Sequence, residues 1–136
     1  MNLREIEGKV EEINQFIKNE LWFDFELVEY KNGNIKVLGG GTDLTTIRDN
    51  YDIEIIFKDI FFTSLKYSWQ SDTNYPTLIF HGYGTPELNS KFAIEQGYHV
   101  FEFMASDHLN SRFYIGAADI DFKINSNGYL KGKKKV

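Results

Sequence analysis

Apolar residues in the first twenty positions recur with the period of an α-helix. They follow alternating steps of three and four: Leu3, Ile6, Val10, Ile13 and Ile17. Asn2 can cap the first turn, and Glu5 lies three residues later, as in a capping box. We therefore predict an amphipathic helix over residues 2–20, whose apolar stripe must pack against another element of the fold.

From residue 21 onward the apolar positions alternate with a period of two, which is typical of β-strands. The first alternation runs to Asn32-Gly33, a dipeptide favoured in tight hairpins because both residues tolerate positive φ. Ile35 and Val37 continue the pattern on a return strand. The Gly39-Gly40-Gly41 run and the residues up to Asn50 are predicted to form a loop.

Longer alternations follow in the second part of the chain. A strand over residues 51–58 is predicted to bend near Lys58-Asp59, with a second strand beyond it. Strands are also predicted at about 77–83, 98–105 and 112–125, and the residues between 84 and 97 are predicted to be a loop. The apolar positions of the last strand change parity, so we predict a β-bulge at Gly116–Ala118.

One N-terminal helix followed by about seven strands with short connections predicts an α+β fold. Because no helices separate the strands, the sheet is expected to be mostly antiparallel and curved, with the helix packed on it. A partial barrel is our first choice and a closed eight-stranded barrel the alternative. Residues 1–130 are predicted to form a single domain, and residues 131–136 a frayed basic tail.

Charge is unevenly distributed, with 15 basic and 20 acidic residues and a formal net charge of −5. Four lysines lie in the last six positions, so residues 1–130 carry about −9. An acidic body repels phosphate backbones, which argues against nucleic-acid binding by the folded part. The sequence has no apolar run of membrane-spanning length, no secretory leader and no cysteine, so we expect a cytoplasmic protein without membrane contact.

Known catalytic and cofactor motifs are missing from the sequence. The three histidines lack the paired spacing that brings two imidazoles to one metal ion. Ser106-Asp107-His108 contains the residue types of a hydrolase triad, but neighbouring side chains on a loop diverge. The triglycine run at Gly39 is not followed by the lysine of a phosphate-binding loop. We therefore predict no catalytic residue, no metal site and no cofactor.

Tyrosine and tryptophan are abundant, and both are enriched where proteins contact partners. Trp22 falls on the same strand face as two acidic residues. It is expected to be exposed there unless a second layer covers that face. Our leading hypothesis is a non-catalytic binding protein with an acidic, aromatic-bearing surface for a basic protein partner, such as a toxin neutralised by an immunity-type protein. The predicted partner-binding residues are Trp22, Asp24, Glu26, Trp69 and Tyr75.

Two other hypotheses come from different classes of protein. A small-ligand-binding protein or an enzyme could use a pocket in the curved sheet, and its predicted pocket residues are His81, Tyr83, Tyr98 and His99. A structural subunit could pair through an exposed strand edge and form a homo-oligomer.

Overall fold

The computed structural model describes residues 3–18, 20, 22–41, 50–65, 68–72, 76–83, 85–93, 98–105 and 112–125. Its helices and strands, in chain order, are α1 (Leu3–Ile17), β1 (Trp22–Lys31), β2 (Asn34–Gly40), β3 (Ile53–Thr63), β4 (Ser68–Asp72), β5 (Leu78–Phe80), α2 (Pro86–Phe92), β6 (His99–Met104) and β7 (Arg112–Ile124). The predicted α+β class is confirmed. The predicted basic tail at 131–136 lies outside the described residues.

The strands form one antiparallel sheet in the order β4-β1-β2-β3-β7-β6-β5. The sheet curls into a half-barrel with β4 and β5 at its two edges. This matches the predicted partial barrel of about seven strands, and the described strands do not close into the alternative eight-stranded barrel. Neither helix in the described part of the chain has the length and apolar character needed to cross a bilayer.

The helix α1 packs against β5 and β7 through the stripe that its sequence predicts. Its buried residues are Ile6, Val10, Ile13 and Ile17. The side chain of Asn14 donates to the carbonyl of Leu78 at 2.8 Å and accepts from its amide at 2.9 Å. Because these bonds imitate those of a neighbouring strand, they cover part of the edge of β5. Lys9 adds an ion pair with Asp121 of β7 at 3.4 Å.

The predicted hairpin between β1 and β2 is confirmed. Asn32 and Gly33 both have positive φ, 54° and 79°, as a tight hairpin turn requires. The loop was predicted to begin at Gly39, and this is wrong because β2 continues to Gly40. A Cβ on Gly39 would lie 2.7 Å from the ring of Phe25, so the glycine lets this ring pack directly against the strand backbone.

The strands β3 and β7 both bend at their centre. Phe57 is paired with Ile120 before the bend, and Ile60 is paired with Ala117 beyond it. In each strand the inward-facing positions therefore switch between odd and even residue numbers at the bend. Asp59 has a positive φ of 57° at this point. The strand nevertheless continues to Thr63, so the predicted second strand is the far half of β3.

The predicted β-bulge at Gly116–Ala118 is on the wrong strand. The register of β3 and β7 shifts between Ile60 and Phe62, and the extra residue, Phe61, belongs to β3. Gly116 has a different role, because a Cβ at this position would lie 2.5 Å from the ring of Phe62. The small residue thus lets an aromatic ring of β3 lie flat on β7.

The two faces of the half-barrel are packed differently. The inner face holds the main core together with α1, and its aromatic centre contains Phe25, Phe57, Trp69 and Phe103, with ring centroids as close as 5.0 Å. The outer face carries a smaller apolar cluster. Its members are Leu88, Val100 and Tyr114, with Phe62 packed against them.

The helix α2 was predicted to be a loop, and that prediction is wrong. The hydroxyl of Thr85 accepts a hydrogen bond from the amide of Leu88 at 3.1 Å, and Pro86 follows the cap as the first helical residue. The helix ends where Ala93 adopts a left-handed conformation. With only seven residues it is too short to show a helical period, so only its capping residues signal it.

Candidate functional site

The short helix α2 lies over the outer face of β6 and β7, and the two layers enclose a groove. Leu88 anchors the helix by packing on Val100 and Tyr114. The groove has a volume of about 480 Å³. Its lining comes from the turn before α2, from α2 itself and from the strands beneath: His81, Thr85, Glu87, Leu88, Lys91, Arg112 and Tyr114.

Beneath the groove lies Glu102, a carboxylate with no solvent-exposed surface. It occupies the outward position of β6 between Phe101 and Phe103, which point into the core. The guanidinium of Arg112 donates to both of its oxygens, from Nε at 2.7 Å and from Nη2 at 3.0 Å. This bidentate geometry fixes the orientation of the arginine.

His81 is the third member of this cluster. The residue follows β5, and its backbone amide donates to the carbonyl of Val100 at 2.8 Å, which holds it beside β6. Its Nε2 lies 2.8 Å from Oε1 of Glu102. Because Oε1 belongs to a carboxylate, the Nε2–H group of the ring is the donor in this contact. We refer to Glu102, Arg112 and His81 as the outer-face ion cluster.

Burial and pairing act in opposite directions on the acidity of Glu102. Burial raises the pKa of the carboxyl, but the hydrogen bonds from His81 and Arg112 outweigh that effect and hold the pKa below its usual value. The same carboxylate raises the pKa of Arg112. Burial, together with Glu102, also raises the pKa of Tyr114, so its phenol stays protonated at neutral pH. The cluster therefore holds an ionised pair at the floor of the groove.

The predicted partner-binding residues do not form one exposed patch. Trp69 is 5% exposed and stacks on Phe25 within the core, with 5.5 Å between ring centroids. Asp24 and Glu26 face outward from β1 but are buried, and Asp24 accepts a hydrogen bond from Gln70 at 3.2 Å. The side chain of Trp22 and the residue Tyr75 lie outside the described part of the structure.

The predicted pocket residues are separated by the sheet. His81 lines the groove, but His99 is on the inner face, 4% exposed, and its Nδ1 has no hydrogen-bond partner among the described residues. Burial lowers the pKa of His99. The ring of Tyr83 packs at a tilt against His99, and Tyr98 packs in the same way against Phe61, with 4.9 Å between ring centroids in each pair. Of the four residues, the groove thus includes one.

Sequence reasoning missed Glu102, Arg112 and Tyr114. On an alternating strand an outward glutamate is usually solvated, so Glu102 gave no signal of its own. The available signal was the Thr85-Pro86 capping pair, because a helix starting there must cover a neighbouring surface. Recognising α2 would have indicated that part of the outer face is buried.

The arrangement lacks the parts of a hydrolytic or metal site in the described ranges. His81 makes no hydrogen bond to a hydroxyl there, and the Thr85 hydroxyl is used to cap α2. The residues that the structure describes include no group of three His, Asp or Glu side chains placed to hold a metal ion. The Ser106-Asp107-His108 sequence lies outside them.

Comparison of the chain with models of protein families, with curated proteins and with solved structures found no match. We therefore infer function from the geometry of the groove and from the charge of the surface.

Proposed function

We propose that this chain is a non-catalytic binding protein and that the groove under α2 is its ligand-binding site. The observation that carries the proposal is the outer-face ion cluster, in which a fully buried carboxylate holds Arg112 in one orientation at the groove. Burying an ion pair contributes little net stability, because desolvation offsets the attraction. A fixed guanidinium is, however, well suited to binding, since less side-chain entropy is lost when a ligand arrives.

The composition of the groove also favours binding over catalysis. Its walls combine charged groups from α2, Glu87 and Lys91, with the apolar side chain of Leu88 and the ring of Tyr114. Such a mixture of apolar surface and a few placed polar groups is typical of ligand sites. Catalysis at His81 would require a nucleophile or a substrate-activating group beside it, and its only side-chain hydrogen bond in the described part of the chain is to Glu102.

A second candidate is the immunity-type function, in which a basic protein partner binds an acidic surface. The exposed face of α1 supports it, because four glutamates there are exposed: Glu5, Glu7, Glu11 and Glu12. The negative charge of the chain adds to the attraction for a basic partner. This proposal moves the docking surface away from Asp24 and Glu26, which are buried.

Site-specific photo-crosslinking separates the two candidates. A photoreactive amino acid is introduced at Lys91 in the groove, at Glu11 on α1 or at Tyr30, which is 67% exposed and lies far along β1 as a control. Each variant is irradiated in extract from cells that express it, purified and measured by intact mass. A groove ligand gives a defined adduct at Lys91, and Arg112→Gln in the same chain removes it.

The pattern of adducts decides between the proposals. A defined protein adduct at Glu11 alone favours the basic-partner candidate and contradicts the groove. Equal adducts at all three positions, or none at any position, contradict both.

A further inference from the structure

The guanidinium of Arg112 has hydrogen-bond donors that the outer-face ion cluster does not use. An arginine carries five N–H groups, and Glu102 accepts from Nε and from one of the two on Nη2. The remaining three have no partner among the described residues. The Arg112 side chain is 55% exposed and lines the groove. A rigid set of charged donors thus faces the space under α2.

Charged groups of both signs surround the groove. The charged groups around the imidazole are Glu102 on β6, Arg112 on β7, and Glu87 and Lys91 on α2, with the phenol of Tyr114 6.3 Å away between ring centroids. Glu102 is bonded to both Arg112 and His81, so it fixes these donors, and Glu87 is the acidic group on the wall of the groove.

We propose that the groove binds an oxyanion, the carboxylate or phosphate group of a small molecule. This inference rests on the proposed function of the groove and names its ligand class. The anion accepts from the unused N–H groups of Arg112, and planar arginine forks suit both kinds of oxyanion. The lowered pKa of Glu102 supports the inference, because the carboxylate stays ionised and keeps the guanidinium of Arg112 in its orientation.

The acidic group on the wall of the groove gives an expected effect of charge on binding. Glu87 opposes the anion, because its carboxylate lies close enough to act on the guanidinium of Arg112. Its removal is therefore expected to strengthen binding.

The test uses sulfate at neutral pH and at constant ionic strength set with sodium chloride. The dissociation constant is measured from amide and Arg112 Nε–H chemical shifts in ¹H–¹⁵N NMR spectra. We expect sulfate to shift the resonances of the groove in a saturable manner. Inorganic phosphate and acetate, titrated in parallel, then distinguish a phosphate ligand from a carboxylate ligand.

Four variants of the whole chain test the assignment of roles. We expect Arg112→Gln to abolish sulfate binding, and His81→Gln to retain binding, because Glu102 still holds the guanidinium of Arg112. Glu87→Gln, which leaves the buried pair intact, is expected to increase the affinity at least twofold and so remains informative if Arg112→Gln fails to fold. Lys58→Gln on β3, whose lysine pairs with Asp121 at 3.6 Å outside the groove, is the matched control without effect.

Each outcome bears on a different claim. Unchanged binding in Arg112→Gln overturns the inference. An absence of sulfate binding combined with a defined adduct at Lys91 overturns the oxyanion class and leaves the groove function in place. If both measurements are negative, the proposed function fails as well.

Discussion

The two faces of strand β6 are equally buried but are packed by opposite means. Phe101 and Phe103 on the inner face have no exposed surface, and neither has Glu102 between them on the outer face. The phenylalanines are surrounded by other rings, with 5.2 Å between the centroids of Phe103 and Phe25. The glutamate is surrounded by Arg112 and His81. One strand thus contributes to an apolar core and to a buried ion cluster.

The difference shows what each face supplies. Removing apolar surface from water stabilises the fold by roughly 25 cal/mol per Å², so the inner face supplies stability. Burying a charge costs free energy that its partners only offset, so the outer face supplies the fixed positions of Arg112 and His81 instead. Changes on the inner face should therefore unfold the protein, and changes on the outer face should mainly alter binding.

The largest expected effect is on the inner face. Phe103→Ala leaves a cavity among Phe25, Phe57 and Trp69, and we expect it to lower the free energy of unfolding by about 4 kcal/mol. Urea unfolding followed by tryptophan fluorescence measures this change. Ile124→Ala, at a residue that is 47% exposed, is the control and should cost less than about 1 kcal/mol. Equal costs for the two variants would contradict the assignment of the core.

The same substitution, glycine to alanine, can be made once on each face, and the two losses of stability can be compared. Gly39→Ala places a methyl group 2.7 Å from the ring of Phe25, which is fully buried and cannot move, so we expect a loss of about 3 kcal/mol. Gly116→Ala meets Phe62, which is partly exposed and can turn away, so we expect about 1 kcal/mol. Urea unfolding of both variants tests this order. The reverse order would mean that the outer face is the more tightly packed.

The outer-face ion cluster is tested by removing one charge or both. Arg112→Leu leaves the buried carboxylate of Glu102 without its main partner, and we expect a loss of about 2 kcal/mol, since the arginine is half exposed. The double variant with Glu102→Leu should be more stable than Arg112→Leu alone, because no charge is then buried. Lys36→Leu, at a surface pair with Glu54, should cost under about 1 kcal/mol. A double variant less stable than the single one would contradict this account.

The smallest expected effect concerns pH. The titrating group on each face should lose its contribution to the free energy of unfolding over a different pH range. The pKa of the inner His99 is lowered in the folded protein, so its contribution is complete above the unfolded value of 6.5 and decreases as the pH falls below it. The pKa of the outer Glu102 is also lowered, so its contribution decreases only below the unfolded value of 4.5. Urea unfolding between pH 8 and 3 measures both windows.

Two variants assign these windows. His99→Phe should reduce the change in stability between pH 7 and 5, and Glu102→Gln should reduce the change below pH 4.5. Glu12→Gln, at an exposed position of α1, serves as the control for both. If either variant leaves its window unchanged, the titrating group lies elsewhere.

Periodicity in the sequence was sufficient for most of the architecture. The steps of three and four in α1, the alternation in β1 and the Asn32-Gly33 turn are local patterns, and the structure confirms them. Such patterns can be predicted because a helix or a hairpin depends on neighbours that are close along the chain. The antiparallel sheet followed from the lack of intervening helices.

The same patterns did not predict which polar residues are buried. Asp24 and Glu26 alternate with buried phenylalanines and were predicted to be accessible, yet they are 5% and 7% exposed. Trp69 was predicted at the surface and lies in the core. Alternation assigns a residue to one face of a sheet, but it does not say whether that face meets water or another layer.

The sequence by itself therefore determined the α+β class, the helix, the hairpin and the acidic character of the chain. Only the tertiary structure decided that α2 covers the outer face, that Glu102 is buried beneath it, and that His81 and Arg112 meet there across strands. The physical reason is the separation along the chain of the residues involved. Periodicity and charge can be read from neighbouring residues, whereas a buried ion cluster depends on contacts between segments that are distant in the sequence.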